Sequence, residues 1–284
     1  MTPTPSHWDS LLLELIHIHD AEVLPWGRKV KAIPRANYYR VWLLRAGHGR
    51  IKVGSRWHKF TAGEWMVPSP MMSAQEFSND SRILSLHFRA HWPDGGLLFE
   101  IDTKAKWPGT RYPELEAASL AIHNSCRQSS PPPYGESALP ETLSFDQYLQ
   151  MAEVFRRWLR VFCAIMTTEG HPPTTQAVLD ERVRTGLRWL NRLPLNASFR
   201  EPTLAEHLGL SVIHLNRLFM RELKLTPAAF LEKRRWERAS YLLLNSTRSA
   251  KEIAYELGFC APSYFTTWVK NRSGKTPLQF RRRC

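Results

Sequence analysis

The chain has 284 residues, 43% hydrophobic and 23% charged, a balance that suits about two globular domains and excludes wholesale disorder. Its net charge is +13, and the excess is confined: residues 181–284 carry 20 Lys and Arg against 8 Asp and Glu, while residues 1–180 are nearly neutral. Four scattered cysteines without a CxxC pair exclude a disulfide framework and a zinc ribbon, no run approaches the roughly 18 apolar residues of a membrane span, and the N-terminus lacks a signal-peptide pattern, so a cytoplasmic chain is expected.

Residues 20–110 read as strands and turns. Short apolar and aromatic runs at 38–44, 51–53, 65–67 and 83–88 alternate with Gly, Pro, Asn and Ser clusters at 47–49, 68–70, 78–81 and 93–96. That spacing predicts a sandwich or small barrel, and Gly47-x-Gly49 is a hairpin signal. Residues 113–126 read as a helix with Leu115, Ala118, Ile122 and Cys126 on one face. Residues 128–140, rich in Ser and Pro, read as an exposed linker. In 145–166, Tyr148, Ala152, Phe155, Leu159, Phe162 and Met166 recur at steps of four and three, opposite Arg156, Arg157 and Arg160. This seam suits either packing on the barrel or a dimer interface. Residues 169–175 form a second linker, and from Val178 the chain reads as helical.

The basic third repeats itself. Leu204-Ala205-x-x-Leu208-Gly209-Leu210 returns as Ile253-Ala254-x-x-Leu257-Gly258-Phe259, and Thr226-Pro227-x-x-Phe230 returns as Thr276-Pro277-x-x-Phe280. Between them, Leu215 and Phe219 match Phe265 and Val269. Each copy has the physics of a helix-turn-helix. The small Ala admits a close neighbouring helix, and the Gly stands where the chain must leave the first helix with positive φ. Ser211 suits the cap of the next helix, and Pro262 suits the start of its counterpart. The second helix of each pair buries one face and leaves the other for a DNA major groove.

These residues resemble the AraC/XylS transcriptional regulators over roughly the last 100 residues. The resemblance covers the doubled helix-turn-helix, a connecting helix over 227–244, and the segment IAYELGFCAPSYFTTWVKNRSGKTPLQFRR. Val269 and Phe280 stand where the family usually has Phe and Tyr, and Lys224 replaces a frequent Gly. The resemblance implies base-reading at Ile213, Asn216 and Arg217. By chemistry, Arg217 suits guanine, Asn216 adenine and Ile213 a thymine methyl. The matching face of the second motif holds Pro262, Ser263, Thr266 and Thr267, smaller and weaker readers. Ser263 could instead be a cap and Thr266 a solvated position. Phosphate contacts are expected from Arg221, Arg248, Lys270, Arg272, Lys275, Arg281 and Arg282. Arg234 and Arg238 suit structural pairing.

The N-terminal half resembles the cupin-like sensor domains of the same family, through its strand run and Gly63-Glu64-Trp65-Met66-Val67-Pro68. That resemblance implies a small effector in the barrel. The many Trp residues suit the barrel core and rim first and a stacked carbohydrate second, with Trp42, His58, Trp65, His87 and Arg89 as candidate contacts. Alternation puts Ser85, His87 and Arg89 on one strand face, lining a pocket if that face points inward. No metal site is expected: His58 lacks a partner at position 56 or 60, the His expected directly after Pro68 is replaced by Ser69-Pro70-Met71-Met72-Ser73, and His17-x-His19 has no acid cluster beyond Asp20 and Glu22. No catalytic pair, nucleotide loop or cofactor signature occurs.

The expected architecture is α+β and multidomain. A cupin-like effector-sensing barrel spans 1–110, a helical linker and dimerisation region 111–176, and an AraC-type DNA-binding domain 177–284, with helix-turn-helix motifs at 203–223 and 250–272. The expected function is a dimeric regulator, an activator by family resemblance, that binds double-stranded DNA and contacts RNA polymerase. A cupin-type enzyme with a DNA-binding tail and a non-specific architectural DNA binder are the alternatives.

Overall fold

The computed structural model describes residues 8–31, 33, 35–129, 143–175, 179–246 and 248–281. These divide into two compact units. One holds the described residues of Leu12–His91 and Leu97–Thr174; the other holds those of Met1–Leu11, Trp92–Gly96 and Thr175–Arg282.

The first unit is built on two antiparallel sheets. Its elements are β1 (Leu12–Glu22), the short α1 (Pro25–Arg28), β2 (Lys29–Val30), β3 (Tyr39–Ala46), β4 (His48–Val53), β5 (Arg56–Thr61), β6 (Glu64–Pro68), β7 (Ala74–Phe77), β8 (Arg82–His91), β9 (Lys104–Pro108), α2 (Pro113–Ser129) and α3 (Phe145–Thr168). One sheet runs β1-β8-β3-β6-β9 and the other β2-β7-β4-β5. Gly47, with φ of 79°, makes the β3–β4 turn that the sequence signals.

The sheets share an apolar interior of Trp42, Leu44, Ile51, Phe60, Met66, Met72 and Ile83. Because side chains alternate along a strand, the opposite face of the five-stranded sheet carries Tyr39, Leu43, Leu84, Leu86 and Phe88. That face takes α3. Phe88 meets Phe155, Trp158 and Phe162 edge-on, at centroid separations of 5.1–6.2 Å. The last three turns of the heptad seam are therefore core, with Phe155, Leu159, Phe162 and Met166 buried, while Tyr148 is exposed. The Tyr39 hydroxyl donates to the Phe99 carbonyl at 2.9 Å and accepts from the Phe99 amide at 2.6 Å, tying the following loop to β3.

Helix α2 buries Leu115, Ser119, Ile122 and Cys126, whereas Ala118 is only half-buried. The inward Ser119 is satisfied twice. Its hydroxyl donates to the Leu115 carbonyl at 2.7 Å and accepts from Trp158 Nε1 at 2.8 Å. Ser144 opens α3 with a reciprocal cap, Ser144 Oγ accepting from the Gln147 amide and Gln147 Oε1 accepting from the Ser144 amide. The Ser/Pro-rich linker falls mostly outside the described residues.

The second unit is helical: α4 (Glu181–Arg192), α5 (Glu201–His207), α6 (Val212–Leu223), α7 (Pro227–Asn245), α8 (Ala250–Glu256), α9 (Pro262–Ser273) and α10 (Pro277–Arg281). Gly209 and Gly258 have φ of 63° and 81°, as their place after α5 and α8 requires. Ser211 Oγ accepts from the His214 amide at 3.2 Å. The repeated Thr-Pro pair is a helix start: Thr226 caps the Ala229 amide at 3.2 Å and Thr276 the Gln279 amide at 3.3 Å, each with Pro at the first helical position. The αL cap of α9 is Gly274, with φ of 70°, but that of α6 is Lys224, with φ of 59°.

Candidate nucleic-acid interface

Two helix-turn-helix pairs, α5–α6 and α8–α9, stand on either side of α7. The first packs through Leu204, Ala205, Leu215, Leu218 and Phe219 onto Val183, Leu187 and Leu190 of α4 and onto Phe230 and Leu231 of α7. Gly186 permits the close α4 approach, since a Cβ there would lie 2.9 Å from the Phe219 ring. The second pair packs through Phe265 and Val269, both buried, with Trp268 bridging to α7. Trp236 of α7 lies edge-on to Trp268 and to Phe280, at 5.6 Å in each case.

Polar ties reinforce the connecting helix. Arg234 donates to the carbonyls at the end of α4, including Asn191 at 3.0 Å and Leu193 at 3.3 Å. Arg238 donates twice to Glu256 of α8, at 2.7 and 2.9 Å. Glu232 accepts from Trp268 Nε1 at 3.0 Å and from Arg272 at 2.8 Å. Burial works against its ionisation, but the Trp268 donor with Arg235 and Arg272 holds its carboxyl below the usual carboxylate range. One helix thus grips both motifs by apolar contact, and the second by charge as well.

The expected base readers separate into two groups. Ile213 is 74% exposed, and Arg217 is exposed with no hydrogen bond or ion pair among the described residues. Their counterparts in α9, Ser263 and Thr267, are exposed at equivalent positions. Asn216 is committed internally: its Nδ2 donates to Glu201 at 2.9 Å, joining α6 to α5, and its Oδ1 is buried. Thr266 donates to its own helix at the Pro262 carbonyl, 3.0 Å away, and Pro262 is half-buried at the helix start. Ser263 is no cap, because Ala261 holds that position without a side-chain bond. Two exposed side chains escaped the reading by repeat, His214 and, in the matching place, Tyr264, 64% exposed. The helical period that exposes Ile213 and Arg217 also marks both.

The expected phosphate contacts divide similarly. Lys270 and Lys275 are exposed and their ammonium groups make no ion pair among the described residues. Arg221 pairs with Glu222 at 2.7 Å, Arg248 with Glu256 at 2.5 Å, and Arg272 with Glu232. Arg281 donates to the Arg248 carbonyl, and burial lowers its guanidinium pKa against the opposing pull of Glu252. Arg282 lies outside the described residues.

The expected effector contacts lie in the first unit and do not converge. Trp42 is in the inter-sheet core, stacked on Phe60 at 6.3 Å. Trp65 pairs with Leu43 and Trp107, on the sheet face opposite Trp42. His58 is on β5 opposite Ile51, near Lys104 and Arg56. Burial, with those two cations, lowers its pKa. Ser85 and His87 point inward, in register with Trp42 and Arg40, and Arg89 pairs with Glu14.

Comparison with known proteins gives the class first: residues 204–283 match a family described as a helix-turn-helix domain. A 121-residue stretch is 26% identical to the arabinose operon regulatory protein of Salmonella typhimurium, over 43% of this chain and 41% of that one. A 77-residue stretch is 38% identical to the virulence regulon transcriptional activator VirF of Yersinia enterocolitica, over 27% of this chain and 28% of the relative. Among solved structures, the C-terminal domain of AraT from Geobacillus stearothermophilus is 30% identical over 37% of this chain and 88% of its own, with a TM-score of 0.35. ToxT from Vibrio cholerae O395 is 12% identical over 97% of this chain and 98% of its own, with a TM-score of 0.45. The chain spans about two fifths of the length of the arabinose regulators it matches. Residues 204–283 form a helix-turn-helix domain, and its type is that of the AraC/XylS regulators.

Proposed function

We propose that the chain is a sequence-specific DNA-binding transcriptional regulator, an activator that contacts RNA polymerase, controlled by a small effector in its N-terminal unit. The carrying observation is the duplicated motif on one helix. Ile213 and Arg217 in α6, and Ser263 and Thr267 in α9, are exposed at equivalent positions. Two recognition helices so held suit successive major grooves about 10 bp apart on one DNA face. Arg217 supplies the strongest reader, because an unpaired guanidinium can meet guanine O6 and N7 together. Lys270 and Lys275 supply phosphate contacts; Asn216 acts as an internal tie. Exposed Phe145, Tyr148 and Leu149 at the start of α3 support a homodimer contact there. A DNA partner puts the chain in the cytoplasm.

The test is selection of binding sites from a random duplex pool by the full-length protein at near-physiological salt. A split motif with subsites about one turn apart is expected. In Arg217→Ala one base position should lose its preference. Indifference to sequence would favour the architectural alternative.

A further inference from the structure

The inward face of β1, β8 and β3 carries a row of polar side chains. His17 stands opposite His87, and His87 opposite Arg40. The flanking row toward the apolar interior is His19, Ser85 and Trp42; on the other side Glu14 stands opposite Arg89. Arg40 is 6% exposed. Its partner is the Tyr38 hydroxyl, 2.5 Å from Nη2, and its guanidinium lies 4.5 Å from the centre of the Tyr38 ring. Among the described residues no carboxylate answers its charge. Of the acids on β1, Glu14 is taken by Arg89, and Asp20 lies on the opposite sheet face, in register with Leu84, where Arg45 holds it at 2.9 Å.

A guanidinium offers five N–H donors and keeps its charge. Taking one out of water without a counter-charge is costly, so such a group implies a partner. The imidazoles beside it supply none. Burial lowers the pKa of His17 and His87 well below the usual imidazole value, helped at His17 by His19 and at His87 by His17, Arg40 and His19. His17 Nε2 is engaged with His19 Nδ1 at 2.5 Å and His87 Nε2 with Ser85 Oγ at 3.4 Å, but His87 Nδ1 is buried without a partner. No group of His, Cys, Asp or Glu among the described residues is arranged to hold a metal. The row therefore carries one uncompensated positive charge, bordered by neutral hydrogen-bonding rings.

We infer that Arg40, with His87 and His17, receives the carboxylate of a small organic acid lodged between the two sheets. The inference rests on the reading of this unit as an effector sensor and names the chemical class of the effector. One unpaired guanidinium matches one monoanion. A phosphate dianion would need a second cation, and Arg89 is already neutralised by Glu14. A neutral sugar would leave the Arg40 charge unanswered.

The test is the thermal unfolding midpoint of the full-length protein. Sodium acetate and sodium benzoate are compared with sodium chloride of equal ionic strength, with acetamide and benzamide, and with L-arabinose. Both acids should raise the midpoint of the wild type, and the amides should not. Arg40→Met should weaken apparent affinity for acetate by about tenfold or more, the loss expected for a charge-assisted contact. Arg40→Lys keeps the charge and should keep a measurable response. Without added acid, Arg40→Met should unfold no earlier than the wild type, because it removes a buried unpaired charge. An earlier midpoint would show that Arg40 serves the fold and would overturn the inference. So would equal acetate responses in wild type and Arg40→Met. A shift with arabinose and none with either acid would overturn the anion site while leaving the sensor reading intact. Silence from every compound would count against both.

Discussion

The duplicated motif contains its own control experiment at Gly209 and Gly258. Both glycines close the first helix of a pair with positive φ, 63° and 81°. A Cβ added at Gly209 meets nothing within 4 Å, whereas one added at Gly258 would lie 2.7 Å from Asn196 Cα and 3.0 Å from its carbonyl oxygen. Gly209→Ala therefore incurs only the left-handed conformation of a residue with a Cβ, about 1 kcal/mol. Gly258→Ala incurs the same strain and must also displace backbone, about 1–3 kcal/mol more. The second variant should lose about 2–4 kcal/mol, and the first about a third of that. Urea unfolding of the full-length chain, followed by helical circular dichroism, reads both. Equal losses would refute the argument that the Asn196 backbone abuts the second turn but leaves the first turn open.

Other consequences follow from single residues. Lys224 adopts the αL cap that Gly274 occupies in the other copy, so Lys224→Gly should stabilise the protein by about 0.5–1 kcal/mol, read as a higher urea midpoint. The exposed, unpaired Lys270 and Lys275 should each lower the slope of log affinity against log salt by about 0.9 when changed to Ala. Arg272→Ala, which removes one of the two cations holding Glu232, should instead lower the unfolding midpoint. His17, His19 and His87 are held below their usual pKa by burial, His19 at about 4. Unfolding lets them take up protons, so their effect on stability is absent above about pH 6.5 and grows unfavourable as pH falls toward 4. Unfolding midpoints measured between pH 7 and pH 4.5 should fall for the N-terminal unit, and Asn at these positions should flatten that dependence.

The helix-turn-helix pairs were legible because their signals are local. Small Ala, positive-φ Gly, Ser211 and the Thr-Pro pairs recur at a fixed offset, and each marks a contact within its own motif. The roles of charged residues were less legible, because their partners come from other elements. Glu201 takes Asn216 from the recognition face, and Glu232 and Glu256 on α7 and α8 hold Arg272, Arg248 and Arg238. In the N-terminal unit β1 was hard to read. Its register slips between Leu15 and His17, breaking the alternation that marks a strand. His17 and Arg40 point inward, against the usual preference of such residues for solvent, so strand periodicity gave no reason to group them with His87. On α2, Ser119 is inward and Ala118 only half-buried, because the indole of Trp158 satisfies the hydroxyl.

The central claim is that α7 fixes two recognition helices so that they read one DNA face together. It is tested most directly by inserting five base pairs between the two subsites of a selected duplex and measuring the affinity of the full-length protein. Half a helical turn moves one subsite to the opposite face. The account predicts a loss of at least about tenfold, the share of one subsite at roughly 1–3 kcal/mol for each lost base contact. Unchanged affinity would mean that the two motifs do not engage the DNA as one rigid reader, and would contradict the account.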